Sequence, residues 1–383
     1  MSRLEELIQQ YCPDGVKYKK IKEVYQRIKG TPITAGKMKE IQCPTGEIRI
    51  FAGGKTVIDA NEADIPNANI TRVPSVLVQS RGVIDAIYYD KPFTFKNEMW
   101  AYTHKEQTSV KFLYYVMKQN IQHFRDAASG MGALPQISLG TTEDFVIPVP
   151  PLPVQEEIVR ILDNFAELQA ELQAELQAEL QKRLQQYNYY RDNLLSFEGR
   201  TDVEWKKLRE IGVNLDRKRK PIAAGKREAG DIPYYGASGI VDYVKGYLFD
   251  GDYLLVSEDG ANLLTRTYPI AFSIHGKTWV NNHAHIIEFK ERATRKYVEY
   301  YLNSIDLSPW ISAGAQPKLT QDNLNRITIP IPSLDEQQKI VDILDRFDTL
   351  TTDITAGLPA EIEARRKQYE YYRDQLLTFK QKA

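Results

Sequence analysis

The sequence is poor in the residues that hold small folds together by bridges or metals: of 383 residues, two are cysteine and five histidine. Cys12 and Cys43 cannot build a disulfide framework or a four-thiolate zinc site, and they read as ordinary thiols. No stretch approaches the roughly 20 apolar residues that a membrane-spanning helix needs. Residues 1–10 carry Arg3, Glu5 and Glu6 and lack the apolar run of a signal peptide. The expectation is a cytoplasmic protein without membrane contact. Catalytic signatures are missing too. Gly54-Lys55-Thr56 and Gly276-Lys277-Thr278 resemble the tail of a phosphate loop, but Arg49 and Ala271 stand where its first glycine belongs. There is no Gly-x-Ser-x-Gly, His-Glu-x-x-His or Gly-x-Gly-x-x-Gly. No catalytic residue, metal site or cofactor of the chain's own is expected. His283 and His285 alternate along a strand-like run, so they face opposite ways and read as structural histidines or a base-edge contact.

An excess of positive charge is lacking as well. The net charge is -1, whereas nucleic-acid-binding domains are usually basic. The average hides segregation. Residues 14–135 hold 18 basic and 12 acidic side chains, and residues 203–318 hold 17 and 14. Residues 152–197 hold 4 and 8, and residues 334–379 hold 6 and 10. Two basic stretches thus alternate with two acidic ones.

What the sequence does have is an internal repeat, the first thing to look for in any chain. Pro148-Val149-Pro150-Pro151-Leu152-Pro153-Val154-Gln155 returns as Pro330-Ile331-Pro332-Ser333-Leu334-Asp335-Glu336-Gln337. Ile161-Leu162-Asp163-Asn164-Phe165 returns as Ile343-Leu344-Asp345-Arg346-Phe347, and Tyr189-Tyr190-Arg191-Asp192 as Tyr371-Tyr372-Arg373-Asp374. Weaker echoes join Val16-Lys17-Tyr18-Lys19-Lys20 to Val203-Glu204-Trp205-Lys206-Lys207 and residues 46–51 to residues 230–235. The chain reads as lobe, rod, lobe, rod: 1–151, 152–197, 198–333 and 334–383.

The rods follow from composition. Residues 154–197 contain neither proline nor glycine and are dominated by good helix formers. Leu168, Leu172, Leu176 and Leu180 recur every fourth residue and lead into Tyr187, Tyr190, Leu194 and Phe197, matched in the second rod by Tyr369, Tyr372, Leu376 and Phe379. Such a seam demands a partner helix, and an antiparallel pairing of the two rods is the expectation. Gly357 and Pro359 should break the second rod. Ala166-Glu167-Leu168-Gln169 is repeated from Ala170, Ala174 and Ala178. Each unit adds about 6 Å and about 40° of rotation, so the rod can serve as a ruler.

The lobes read as mixed α and β. Strands are expected at 48–52, 75–79, 84–89, 232–235, 253–257, 271–274 and 285–289, and helices at 110–124 and 295–303. Polar, amide-rich and basic residues at their turns suit base edges and phosphates. In the first lobe these are Lys55, Arg72, Gln79, Arg81, Asn97 and Gln136. In the second they are Arg217, Lys218, Arg219, Lys220, Tyr235, Ser238, Asn262, Lys277, Asn281, Asn282, His283, Gln316 and Lys318.

Taken together, these motifs resemble the specificity subunit of type I restriction-modification systems. The resemblance is carried by Pro-x-Pro-Pro/Ser-Leu before Gln-x-x-Ile-Val-x-Ile-Leu-Asp, by Tyr-Tyr-Arg-Asp-x-Leu-Leu-x-Phe, and by the tetrapeptide repeat. Ile232-Pro233-Tyr234-Tyr235-Gly236-Ala237-Ser238-Gly239 and Trp279-Val280-Asn281-Asn282-His283 also look like segments of its target recognition domains. The resemblance implies an α+β chain with two target recognition domains, separated by two long antiparallel coiled-coil helices around a pseudo-two-fold. Each lobe would read half of a bipartite site in double-stranded DNA. The rods would set the gap and dock two methyltransferase subunits carrying S-adenosylmethionine. Two restriction and translocase subunits, using ATP and Mg, would complete a complex in which this chain is non-catalytic. The rival readings are a coiled-coil scaffold that binds only protein and an enzyme with an unrecognised site.

Overall fold

The computed structural model describes residues 2–54, 56–129, 134–312, 316–352 and 357–382. They form two units, Met1–Ala174 with Ile362–Ala383, and Glu175–Glu361.

In the first unit, β1 (Lys17–Lys20), β2 (Gln26–Ile28), β3 (Ile48–Phe51), β4 (Val57–Ala60), β5 (Ser75–Gln79), β6 (Asp85–Tyr89), β7 (Phe93–Phe95), β8 (Trp100–Thr103) and β9 (Val146–Val149) form three small sheets. Their orders are β2-β8-β5-β6, β4-β3-β7 and β1-β9. Ser-Val-Leu-Val-Gln of β5 is buried along its whole length, as expected of a central strand covered on both faces. Its residues alternate between two cores. Val76 and Val78 pack with Val110 and Leu113 of helix α1 (Gln107–Gln119). Leu77 faces the other way, against Phe51, Phe93 and Phe95. The helix expected over 110–124 is two helices, parted at Asn120, whose side-chain amide donates to the Val116 carbonyl at 2.8 Å. Strands β4, β7 and β8 had no sequence signal strong enough to announce them.

The second unit repeats this plan. Its strands are β10 (Glu204–Lys207), β11 (Val213–Asn214), β12 (Ala229–Gly236), β13 (Gly239–Val244), β14 (Phe249–Asp250), β15 (Tyr253–Ser257), β16 (Ala271–Ile274), β17 (Lys277–Val280), β18 (Ala284–Glu288), β19 (Ile311–Ser312), β20 (Lys318–Leu319) and β21 (Thr328–Ile331). The sheet orders β11-β18-β15-β16, β13-β12-β17-β14 and β10-β21 match those of the first unit strand for strand, with β14 added and β19-β20 as a small extra pair. Again the central strand alternates. Leu254 and Val256 pack into one core with Val298 and Tyr301 of α1's counterpart in this lobe, the helix Arg292–Ser304, while Leu255 packs into another with Ile286.

The first rod is helix α2 (Leu152–Leu194), and the second is broken, as Gly357 and Pro359 require, into α3 (Leu334–Thr352) and α4 (Leu358–Leu376). Residues 353–356 lie outside the described ones. Within each unit the rods pair antiparallel. In the first, Ile158 and Leu162 share a core with Leu377, and Phe165 meets Tyr372 at 6.1 Å. In the second, Tyr187 and Tyr190 meet Phe347 at 6.4 and 5.5 Å, and Arg200 pairs with Glu336 at 2.5 Å. Leu194 and the buried Phe197 join the core that holds Ile340, Val341 and Leu344. The seam is less uniform than its spacing suggests. Leu172, Leu176, Leu180, Tyr369, Leu376 and Phe379 are half-buried. Leu168, Tyr190 and Tyr372 are 60, 43 and 45% exposed. A stripe of strict period four rotates about 40° per step relative to the helix, so one residue of it leaves the seam as another enters.

Candidate nucleic-acid interface

Four segments of the second unit converge at one end of its sheets. The Asn281 N–H donates to the Tyr235 carbonyl at 3.1 Å, and the Ser257 hydroxyl to the Ala237 carbonyl at 2.5 Å. Glu258 N–H donates to the His283 carbonyl at 2.9 Å, Leu319 N–H to the Glu258 carbonyl at 2.8 Å, and Gly260 N–H to the Pro317 carbonyl at 3.2 Å. Tyr235, Ser238, Asn281, Asn282, His283, Gln316 and Lys318, far apart in sequence, are thereby gathered. Gly236 allows the approach, since a Cβ there would lie 3.0 Å from Val241 Cγ1.

Behind this face lies a buried network of charges. The His285 ring presents Nδ1 to Asp216 at 2.5 Å and Nε2 to the Leu319 carbonyl at 2.8 Å. Both ring nitrogens therefore face oxygens. Arg219 turns inward, 2.7 Å from Glu258 and 3.4 Å from Asp216, and Lys318 reaches the other Glu258 oxygen at 3.1 Å. Burial pushes the Asp216 carboxyl up. The hydrogen bond and charge of His285, the Ile286 N–H and Arg219 outweigh it and hold the group below the usual carboxylate range. Glu258 is likewise held low, with burial outweighed by Arg219, His285 and Lys318. Asp216, Glu258 and His285 bring ligand atoms within 4.8 Å of one another, but the chain's own guanidinium already sits among them. His283 lies in the turn before β18 rather than on the strand; it is exposed and pairs with Asp259 at 2.9 Å.

The first unit holds the same frame with different side chains. The Lys96 N–H donates to the Phe51 carbonyl at 2.9 Å, where Asn281 donates to Tyr235 in the second. The Gln79 amide donates to the Gly54 carbonyl at 2.7 Å, in the place of Ser257 and Ala237. Ile137 N–H donates to the Ser80 carbonyl at 2.9 Å and Gly82 N–H to the Pro135 carbonyl at 2.8 Å, repeating Leu319 to Glu258 and Gly260 to Pro317. The bridge between Arg81 and Gln136 stands where Asp259 and Lys318 pair. An open groove of about 880 Å³ beside the frame is lined by Lys39, Gln42, Arg81, Lys96 and Leu134, among others.

The remaining candidates divide by what their side chains already hold. Gln79 and Asn281 are buried parts of the frame, and the Asn281 carboxamide oxygen accepts the His283 N–H at 2.7 Å. Asn262 clamps Tyr268 through two bonds of 3.0 and 2.9 Å. Arg72 pairs with Glu62 at 2.5 Å, and Lys277 lies 5.0 Å from the Tyr247 ring. Arg217, Lys218 and Lys220 are exposed around the inward-turned Arg219, with the Lys220 carbonyl fixed by Trp279 Nε1 at 2.6 Å. Asn97, Ser238, Asn282 and Gln316 are exposed or at the rim. Lys55 lies outside the described residues. Sequence reasoning missed the acidic members Asp216, Glu258 and Asp259, because lone carboxylates carry no motif. It also missed Ile240 and Val241, which are 47 and 56% exposed on the hairpin strand β13.

Comparison with known proteins gives one answer. The family model for the type I restriction modification DNA specificity domain matches twice, over residues 13–182 and 201–364. The EcoR124I/EcoR124II specificity subunit of Escherichia coli is 36% identical over 302 residues, which is 71% of this chain and 72% of that one. A protein of Haemophilus influenzae named as a type I restriction enzyme specificity subunit is 40% identical over 181 residues, 46% of each chain. The chain thus spans about half the length of that relative. The crystal structure of a type I restriction-modification S subunit from M. genitalium aligns with a TM-score of 0.51 at 19% identity, covering 94% of this chain and 95% of that one. A structure described for complex assembly and conformational transition of the type I system aligns with a TM-score of 0.62 at 14% identity, covering 95% and 97%. The doubled frame, the doubled rods and these matches agree: the chain belongs to the family of type I restriction-modification DNA specificity subunits.

Proposed function

We propose that each lobe reads one half of a bipartite, asymmetric sequence in double-stranded DNA, and that the rods set the unread gap and dock two methyltransferase subunits. The observation that carries this reading is the repeated hydrogen-bond frame with different side chains on it. Two like scaffolds suit like partner subunits, while Arg81 and Gln136 in one and Asp259 and Lys318 in the other suit unlike half-sites. The chain is non-catalytic in this reading. S-adenosylmethionine belongs to the methyltransferase subunits, and ATP and Mg to two restriction and translocase subunits that complete the complex. The lobes are only modestly basic, so the partners supply much of the phosphate contact. The test is to express the chain with its methyltransferase partner and map N6-methyladenine across the host genome. One gapped, asymmetric motif is the expected result. A stable complex that methylates no such motif, or a complex whose footprint on DNA lacks any contribution from this chain, would overturn the reading in favour of a protein-binding scaffold.

A further inference from the structure

We infer that Arg81 and Gln136 are base readers of the first lobe, Arg81 for a guanine and Gln136 for an adenine within one base-pair step of it. The inference rests on the DNA-recognition reading above. Residues 14–135 contain five arginines. Arg27, Arg49 and Arg72 are paired with carboxylates, and Arg125 donates to the Ile84 carbonyl at 3.2 Å. Arg81 is exposed, as Arg27, Arg72 and Arg125 are, but it alone of the five has no partner for its guanidinium among the described residues.

Its backbone, by contrast, is held from both sides. The Arg81 carbonyl accepts the Gly54 N–H at 3.0 Å, and the next N–H, of Gly82, donates to Pro135 at 2.8 Å. Gly82 has φ +80 and would bring a Cβ to 3.3 Å from Gly54 Cα, so this tight approach needs glycine. Gln136 is fixed by reciprocal backbone bonds to Ser129 of 3.1 and 2.9 Å, while its exposed carboxamide has no partner among the described residues. The fixed backbone sets where each side chain starts, and each side chain's hydrogen-bonding groups are left for a base edge.

The chemistry and the spacing agree. A guanidinium forks onto O6 and N7 of guanine, and a carboxamide onto N6 and N7 of adenine. Partners in an antiparallel bridge stand about 5 Å apart at Cα, close to the about 3.4 Å rise between base pairs. The second lobe supplies the contrast. At the equivalent places Asp259 is paired with His283 at 2.9 Å and Lys318 with Glu258 at 3.1 Å. No free guanidinium stands there, so the two half-sites differ at this point of the frame.

The test uses the full chain in complex with its methyltransferase partner and compares genome-wide methylation motifs. Arg81→Lys keeps the positive charge but loses the fork. It is expected to relax one base pair of one half-site, with discrimination there falling roughly tenfold to a hundredfold. Gln136→Ala is expected to relax the same or the adjacent base pair, and neither variant should alter the other half-site or the gap. A motif unchanged in Arg81→Lys, with only uniformly weaker methylation in Arg81→Ala, would mark a phosphate contact and overturn the inference while leaving the reading of the chain intact. A wild-type complex without a gapped motif would sink the reading itself, and this inference with it.

Discussion

A histidine clamped between a carboxylate and a carbonyl is the residue-scale key to the second lobe. His285 is fully buried, and Asp216 is 4% exposed at its side chain. Removing one partner of such a buried pair costs about 3–5 kcal/mol. Asp216→Asn should therefore lower the melting temperature of the full chain in the transition of the second unit. The pH dependence has a definite sign. The folded-state pKa of Asp216 lies below its ordinary value, so its stabilisation is fully present above about pH 4 and fades as pH falls toward the lower folded value. Melting curves between about pH 3 and pH 6 should show the wild type losing stability on acidification more steeply than Asp216→Asn. Equal slopes would assign the acid sensitivity elsewhere. None of this was legible in the sequence, since Asp216, Glu258 and His285 meet only through the fold. The exposed candidates were easier to name than to sort. Gln79 and Gln136 look alike as letters, yet one closes a turn on Gly54 and the other has no side-chain partner among the described residues, and only their neighbours decide which.

At the scale of elements, helix α2 was the most legible part of the chain and its seam the least. Absence of proline and glycine over forty-odd positions leaves little alternative to a helix. Which leucines are covered depends on where the stripe has drifted when it meets its partner, and Leu168 shows the result. The four Ala-Glu-Leu-Gln units all lie inside α2. Deleting residues 170–173 removes about 6 Å and about 40° of helix. The expected outcome is a methylation motif with both half-sites intact and the unread gap shortened by one or two base pairs. A changed half-site, or an unchanged gap with full activity, would remove the ruler role. The small strands β4, β7 and β8 were illegible for the opposite reason. They run for four, three and four residues, too short for a period to register, and they are strands because their neighbours complete the ladder.

For the whole molecule, the doubled plan was readable wherever it constrains packing: the Pro-rich entries to the rods, the Tyr-Tyr-Arg-Asp ends and the central strands. It faded where it constrains only backbone bonds. Gly82 to Pro135 and Gly260 to Pro317 are the same bond, but the side chains around them share almost nothing. That divergence is what makes the lobes separable. Replacing residues 203–318 by the matching stretch of a relative with another motif should change one half-site only. Methylome comparison of the chimera with both parents checks this, and a change in both half-sites would mean that the lobes do not read independently.

The first unit has a further consequence for how the chain is made. Its core includes Leu377, and residues 380–382 are stitched to Gly15–Val16 by bonds of 2.9 Å from the Val16 N–H to Lys380 and from the Lys382 N–H to Val16. Tyr18 adds its hydroxyl to the Phe379 carbonyl at 3.0 Å. The first lobe therefore cannot finish folding until residues 362–382, which are made after the whole of the second unit, have arrived. At roughly 5–20 residues per second, the lobe synthesised first stands incomplete for tens of seconds while the other closes around contiguous sequence. The order of synthesis and the order of completion are reversed, and the first lobe is the one that depends on protection in the interval.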